Sequence, residues 1–114
     1  MGAHVKDNDK PVLVYATFPS LEGAEKVAAQ LIEGELAACV NILPEMKSFY
    51  RWQGELQCDA EVVLLAKTRK GRSEAVTAAI AEAHTYDVPA IFVLEMAGGH
   101  PPYLAWIMSE TLSG

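Results

Sequence analysis

The chain has 114 residues, 51% of them hydrophobic and 21% charged, with a formal net charge of -6; this is ordinary globular composition with room for one core. Apart from one short cluster at Lys67 to Arg72 the nine Lys and Arg are scattered, so no basic stripe exists to follow nucleic-acid phosphates, and no apolar run nears the ~20 residues of a membrane span. The amino terminus lacks the charged-then-apolar order of a secretion signal, so the expected location is the cytoplasm, with no nucleic-acid or membrane partner.

Residues 1–10, MGAHVKDNDK, are polar and unpatterned and read as a disordered tail, leaving 11–114 as a single domain. PVLVYATF, from Pro11 to Phe18, is a β-branched and aromatic run without polar alternation, which predicts a central strand buried on both faces. Ser20 can cap a following helix whose apolar face is Ala24, Val27, Ala28, Leu31 and Ile32, ending about Gly34 to Glu35.

From Ala37 to Thr68 the sequence reads as one β-hairpin turning at Gln53-Gly54-Glu55, with Gly54 supplying a positive φ. Pro44 cannot donate to a ladder, so a bulge or bend is expected there. Each arm of about 14 to 16 residues runs roughly 45 to 50 Å at ~3.3 Å per residue, whereas a compact body of this length has a radius of gyration near ~13 Å. The hairpin must therefore overhang. On its return arm Val62, Leu64 and Ala66 face one way and Glu61, Val63, Leu65 and Lys67 the other. Two helices cover only one of these sets, and each large aliphatic side chain left in water forgoes about 1.5 to 3 kcal/mol. An oligomer whose grooves lie between subunits is the expected solution.

After the basic cluster Lys67-Thr68-Arg69-Lys70-Gly71-Arg72, Ser73 is expected to cap a second helix with Val76, Ala79, Ile80 and Ala83 on its apolar face and His84 in its last turn. Asp87-Val88-Pro89 breaks the chain, AIFVLEM gives a fourth strand, and Gly98-Gly99-His100-Pro101-Pro102 leads into an amphipathic segment, Tyr103 to Leu112, expected to cover an edge. The order βαββαβ plus a terminal helix predicts an α+β sandwich, with helices on one face of an antiparallel sheet.

The two cysteines, Cys39 and Cys58, fall some ten strand positions apart, roughly 30 Å, too far for a disulfide; free thiols suit a reducing compartment. His84 is the best single metal-ligand candidate by residue type, although a histidine ending a helix also serves the helix dipole. Cys39 could add a soft ligand if it faces a groove near His84, or simply fill the core. His100 and His4 have no partner in sequence. Glu61 and Lys67, ~20 Å apart on one strand face, each need a partner from elsewhere, either at an interface or bordering a groove. Tyr50 and Trp52 share a face as an aromatic platform. Metal-ligand spacings, nucleophile elbows, P-loops and dinucleotide fingerprints are absent from the sequence, so no enzyme is expected.

The segments ELAACVNILP, SFYRWQGE, EVVLLAKT, the corner His84-Thr85-Tyr86-Asp87-Val88-Pro89 and YLAWI, in that order between Val12 and Ile107, resemble the CutA family of divalent-cation tolerance proteins. That resemblance implies a ferredoxin-like subunit in a tight homotrimer similar to PII-type signalling proteins, with the long hairpins pairing across subunits. It also implies a role in tolerance to copper and other divalent cations. In enteric members the assigned copper ligands are a cysteine before the threonine of the first strand and a His-His pair ending the second helix. Here Ala16 precedes Thr17 and the pair is Ala83-His84, so His84 alone carries over. The corner also departs from the family, with Thr85 and Asp87 where a proline and a glutamate are usual.

The function expected is a divalent-cation tolerance protein, homotrimeric, binding copper or another divalent metal in an intersubunit cleft bordered by Cys39, Tyr50, Trp52, Glu61, Lys67, His84 and Tyr86. The alternatives are a PII-like sensor taking a small anionic effector near Lys67 and Arg69, and a non-catalytic trimeric scaffold that docks other proteins.

Overall fold

The computed structural model describes residues 9–112. Strand β1 (Pro11–Phe18) leads into helix α1 (Leu21–Glu33). The long strands β2 (Cys39–Trp52) and β3 (Glu55–Arg69) follow, then helix α2 (Ser73–Ala83), strand β4 (Ile91–Glu95) and helix α3 (Pro101–Glu110). All strand pairs are antiparallel in the order β2-β3-β1-β4, so β1 is central as expected and β2 and β4 form the two edges.

Local chemistry explains the boundaries. The Ser20 hydroxyl accepts from the Gly23 N–H at 3.1 Å, capping α1. At its other end Glu35 takes a positive φ of 58° while the Leu36 N–H returns to the Leu31 carbonyl at 2.9 Å, closing the helix. Pro44 falls inside the register shift between Leu43 and Met46, the expected bulge. The hairpin turns through Gln53 and Gly54, both at positive φ (50° and 82°), the arrangement of a type I′ turn whose twist matches the strands it joins.

Val14, Ala16, Phe18, Val62, Leu64 and Ala66 pack on Ala24, Val27, Leu31, Val76 and Ile80, so both long helices share one face of the sheet. Burying that set of aliphatic side chains is the main stabilising contribution to the fold. Strand β1 is fully buried only on this side. On its other side Thr17 is buried beside Val63 at one end, and Leu13 and Tyr15 are half-covered toward the other. There α3 lies over β1 and β3, with Ile107 buried and the Lys67 amine donating to the Tyr103 hydroxyl at 3.0 Å. The terminal helix thus covers part of a face rather than the expected edge, because the strand side chains of Leu13 and Lys67 point toward it.

Four local expectations are corrected. Ile32 is exposed rather than part of the α1 face, and Ala83 is exposed on α2. Ser73 does not cap α2: a single 3-10 turn, Lys70–Arg72, feeds straight into the helix, and the Ser73 hydroxyl donates back to the Lys70 carbonyl at 2.8 Å. Helix α3 begins at Pro101, two residues early, since prolines suit the first helical positions.

Of the expected tail, residues 1–8, His4 among them, lie outside the described residues. Asp9 and Lys10 are held in place. The Arg69 guanidinium reaches Asp9 at 2.8 Å, the Gly71 N–H donates to the same carboxylate at 2.9 Å, and the Lys70 N–H donates to the Lys10 carbonyl at 2.8 Å. Arg69 also bonds the Thr111 hydroxyl and the Met108 carbonyl, so one side chain joins the chain's two ends to β3.

The body measures 51 × 26 × 26 Å with a radius of gyration of 15.3 Å, against about 13 Å for a compact chain of this length. The excess is the overhanging hairpin, where Phe49 is 67% exposed, Trp52 59% and Leu56 75%.

Candidate functional site

Alongside the overhanging hairpin the chain folds around a cleft of about 460 Å3 lined by Thr17, Tyr50, Trp52, Glu61, Tyr86, Asp87, Val88 and Ala90. Strand alternation builds its floor. Ser48, Tyr50 and Trp52 on β2 share a face with Asp59 and Glu61 on β3, since Ser48 pairs with Asp59 and Tyr50 with Gln57. Two diagonal bonds lock this surface: the Tyr50 hydroxyl donates to Asp59, and the Ser48 hydroxyl donates to Glu61 Oε1 at 2.6 Å. The Asp59 carboxylate holds the Tyr50 phenol protonated, pushing its pKa up to about 12.

The opposite wall is the corner after α2, and His84 fixes it. This residue is the C-cap of α2, in extended conformation, so its ring turns away from the helix carbonyls and crosses to β1. Nε2 lies 2.6 Å from the Thr17 carbonyl, to which it must donate. Nδ1 therefore carries the lone pair and accepts the Tyr86 N–H at 3.2 Å. The imidazole lies between two rings, stacked on Phe18 at 4.8 Å and tilted against Tyr86 at 4.7 Å between centroids. Burial raises the Tyr86 pKa, and the Glu61 and Asp59 carboxylates add to that rise, so the two walls feel one another across the cleft.

Within one chain the expected set of seven residues divides in two. Tyr50, Trp52, Glu61 and Tyr86 converge on the cleft with His84 bracing them from behind. Cys39 and Lys67 pair with each other in the β2–β3 register, at the end of the sheet under α3, and do not line it. There the Lys67 amine lies 5.4 Å from the Tyr103 ring centroid; its hydrogen bond to the Tyr103 hydroxyl raises its pKa, against an opposing effect of burial. Cys39 and His84 therefore do not face a common groove, and both cysteines are free thiols. Tyr50 and Trp52 do share a face, as the period of two requires.

Sequence reasoning passed over Thr17, Asp59, Asp87, Val88 and Ala90. Asp59 was accessible from the strand period once the turn was set at Gly54, because it sits diagonally across from Tyr50. The corner residues carried no such signal. The bond of the Thr17 N–H to the Ala90 carbonyl and the contact of His84 with the Thr17 carbonyl together hold them opposite the hairpin.

Chemically the cleft offers three aromatic rings, carboxylates and no Lys or Arg in its lining. Among the described residues no group of three or more His, Cys, Asp or Glu is placed to hold a metal ion, and both His84 nitrogens are engaged in hydrogen bonds. No helix among them is long and apolar enough to cross a membrane.

The family model described as CutA1 divalent ion tolerance protein matches residues 12–110. The chain is 41% identical over 100 residues to Protein CutA 1, chloroplastic, of Oryza sativa, covering 88% of this chain and 56% of that protein, little more than half of the plant relative's length. It is 42% identical over 100 residues to the divalent-cation tolerance protein CutA of Pyrococcus horikoshii, covering 88% of this chain and 97% of that one. The crystal structure of CutA1 from Oryza sativa superposes with a TM-score of 0.87 at 39% identity, covering 92% of this chain and 96% of that one. With its four-stranded antiparallel sheet, three helices and a match running from β1 through α3, the chain belongs to the CutA1 divalent ion tolerance family.

Proposed function

We propose that the chain acts as a homotrimeric, non-catalytic divalent-cation tolerance protein of ferredoxin-like subunits, whose working surface is the cleft between the hairpin and the His84 corner. The observation that carries the reading is the part of the second face left uncovered. Leu43, Phe92 and Leu94 are exposed on the side of the sheet that α3 leaves open, and both edge strands, β2 and β4, have an unpaired side. Apolar surface of this extent beside two open edges calls for further copies of the same chain. The strand order β2-β3-β1-β4 supports the ferredoxin-like reading, and a PII-like trimer would set each overhanging hairpin against a neighbour. The cleft then lies between subunits.

Sedimentation at micromolar concentration tests the assembly: a three-subunit mass is expected, and a well-folded single subunit refutes it. Calorimetric titration of copper(II) or zinc(II) into wild type and His84→Ala tests metal ligation. A binding heat lost in the variant supports His84 as a ligand, although the ring must first release Thr17 or Tyr86; equal heats, or none, remove it. A small anionic effector near Lys67 and Arg69 is less favoured, because Tyr103 engages the first and Asp9 neutralises the second. The free thiols Cys39 and Cys58 support a reducing compartment, and the cytoplasm is the compartment we assign.

A further inference from the structure

We propose that Asp9 is the key of a latch that couples the amino-terminal segment to the last turn of α3. With the Asp9 carboxylate in place Arg69 caps the end of that helix, and without it the cap is lost. Every bond of the latch joins two parts of one chain, so a neighbouring copy can cover it but does not supply it.

Helix α3 has a need that its own sequence does not meet. The last carbonyls of a helix have no partner within it, and a cation beside them satisfies them and opposes the negative end of the helix dipole. The last turn of α3 contains no basic residue. The cluster between Lys67 and Arg72 provides the cations from β3 and the turn that follows it. The Arg69 guanidinium donates through Nη2 to the Met108 carbonyl and through Nε to the Thr111 hydroxyl at 3.2 Å, and Arg72 Nη2 donates to the Leu112 carbonyl at 2.8 Å. Thr111 is fully buried and donates its own proton to the Ile107 carbonyl at 2.7 Å, so Arg69 holds the helix end through a residue that has no access to water.

Asp9 decides whether Arg69 can stay there. Of the three acceptors that Arg69 serves, only the Asp9 carboxylate carries a charge. The Arg69 and Asp9 side chains are 13% and 18% exposed in the single chain, values that a neighbour can only lower. A guanidinium enclosed to this degree is strongly destabilised once its counter-charge is removed. Its fork is planar and rigid, so a turn toward water moves all of its nitrogens together and withdraws them from Met108 and Thr111 at once. The carboxylate is fixed in turn. Its second oxygen accepts the Gly71 N–H at 2.9 Å, and the neighbouring Lys10 carbonyl accepts the Lys70 N–H at 2.8 Å. Burial pushes the Asp9 carboxyl up, but the Gly71 N–H and Arg69 hold it below the ordinary carboxylate range, so the key is charged at neutral pH. Asp9 and Thr111 both lie just outside the stretch 12–110 that the family model matches.

Amide hydrogen exchange on the full-length chain tests the latch, with variants compared at equal assembly by sedimentation of the same samples. Asp9→Asn keeps the shape of the side chain and removes its charge. It should speed exchange at the Ser109, Glu110 and Thr111 amides by at least about tenfold, the factor of one charge-assisted hydrogen bond. The amides of α1 from Val27 to Leu31 should change by less than about twofold. Coupling is reciprocal, so Thr111→Val, which takes an acceptor from Arg69 at the other end, should speed exchange of the Gly71 amide by at least about threefold. Glu95→Gln breaks the pairs that Glu95 makes with Lys10 and Lys70, beside the latch but apart from Arg69, and should leave α3 unchanged. In an Arg69→Met background Asp9→Asn should have no further effect on α3.

Exchange in the last turn of α3 that is unaltered by Asp9→Asn would overturn the latch. A rise by the same factor in α1 and α3 would overturn it too, since Asp9 would then act on the fold as a whole, and so would an equal rise in Glu95→Gln. An Asp9→Asn effect that persists in Arg69→Met would remove Arg69 as the carrier and with it the proposal.

Discussion

Replacing His84 with alanine separates its role as a brace from a role as a metal ligand. The substitution removes the bond to the Thr17 carbonyl, the acceptor for the Tyr86 N–H, and ring contacts with Phe18 and Tyr86. A hydrogen bond of this kind contributes about 0.5–1.5 kcal/mol and an aromatic pair about 0.5–1.5 kcal/mol beyond its buried area. The naive sum overstates the loss, since the four contacts act together and Tyr86 is 43% exposed, so its N–H regains water. A destabilisation of about 2–3 kcal/mol is expected, a drop of roughly 10 °C in melting temperature for a domain of this size. His84→Phe keeps the stacking and loses both bonds, and should cost about 1–2 kcal/mol. The assay is urea denaturation with chelator present and protomer concentration fixed, because assembly makes the midpoint concentration-dependent. Amide exchange at Tyr86 should rise in His84→Ala as the corner loosens. A variant within about 0.5 kcal/mol of wild type in metal-free buffer, yet deficient in copper or zinc binding, would refute the bracing role.

Three further outcomes follow from individual contacts. Gly54→Ala meets open space but must hold a φ of 82°, so it should destabilise the hairpin by about 1 kcal/mol, read from denaturation midpoints. Burial pushes the Asp9 carboxyl up, but the Gly71 N–H and Arg69 outweigh it and leave the pKa below its ordinary value. Asp9 thus contributes stability that is present above the unfolded carboxyl's pKa of about 3.9 and lost as pH falls through the folded value; Asp9→Asn should flatten the acid limb of the stability curve. In an ultraviolet absorbance titration Tyr50 should ionise near about 12, and Asp59→Asn should bring it back toward 10.

Period and punctuation in the sequence determined most of the secondary structure. The apolar run Pro11–Phe18, the Ser20 cap, the Pro44 bulge and the Gly54 turn each act through neighbours a few residues away, so their consequences are written locally. Strand alternation likewise put Tyr50 and Trp52 on one face, and arm length implied the overhang. The terminal helix was a different matter: its position over Leu13 and Lys67 depends on which sheet face remained uncovered after α1 and α2 had packed. Residue type singled out His84 but left its job open between ligand and helix cap. Only the folded chain brings the Thr17 carbonyl, 67 residues away in sequence, within 2.6 Å of its ring. That bond and the one from the Thr17 N–H to the Ala90 carbonyl hold Tyr86, Asp87 and Val88 opposite the hairpin, and a cleft made by such closure exists only once β1, α2 and the hairpin have packed together, because no segment of the sequence contains both of its walls.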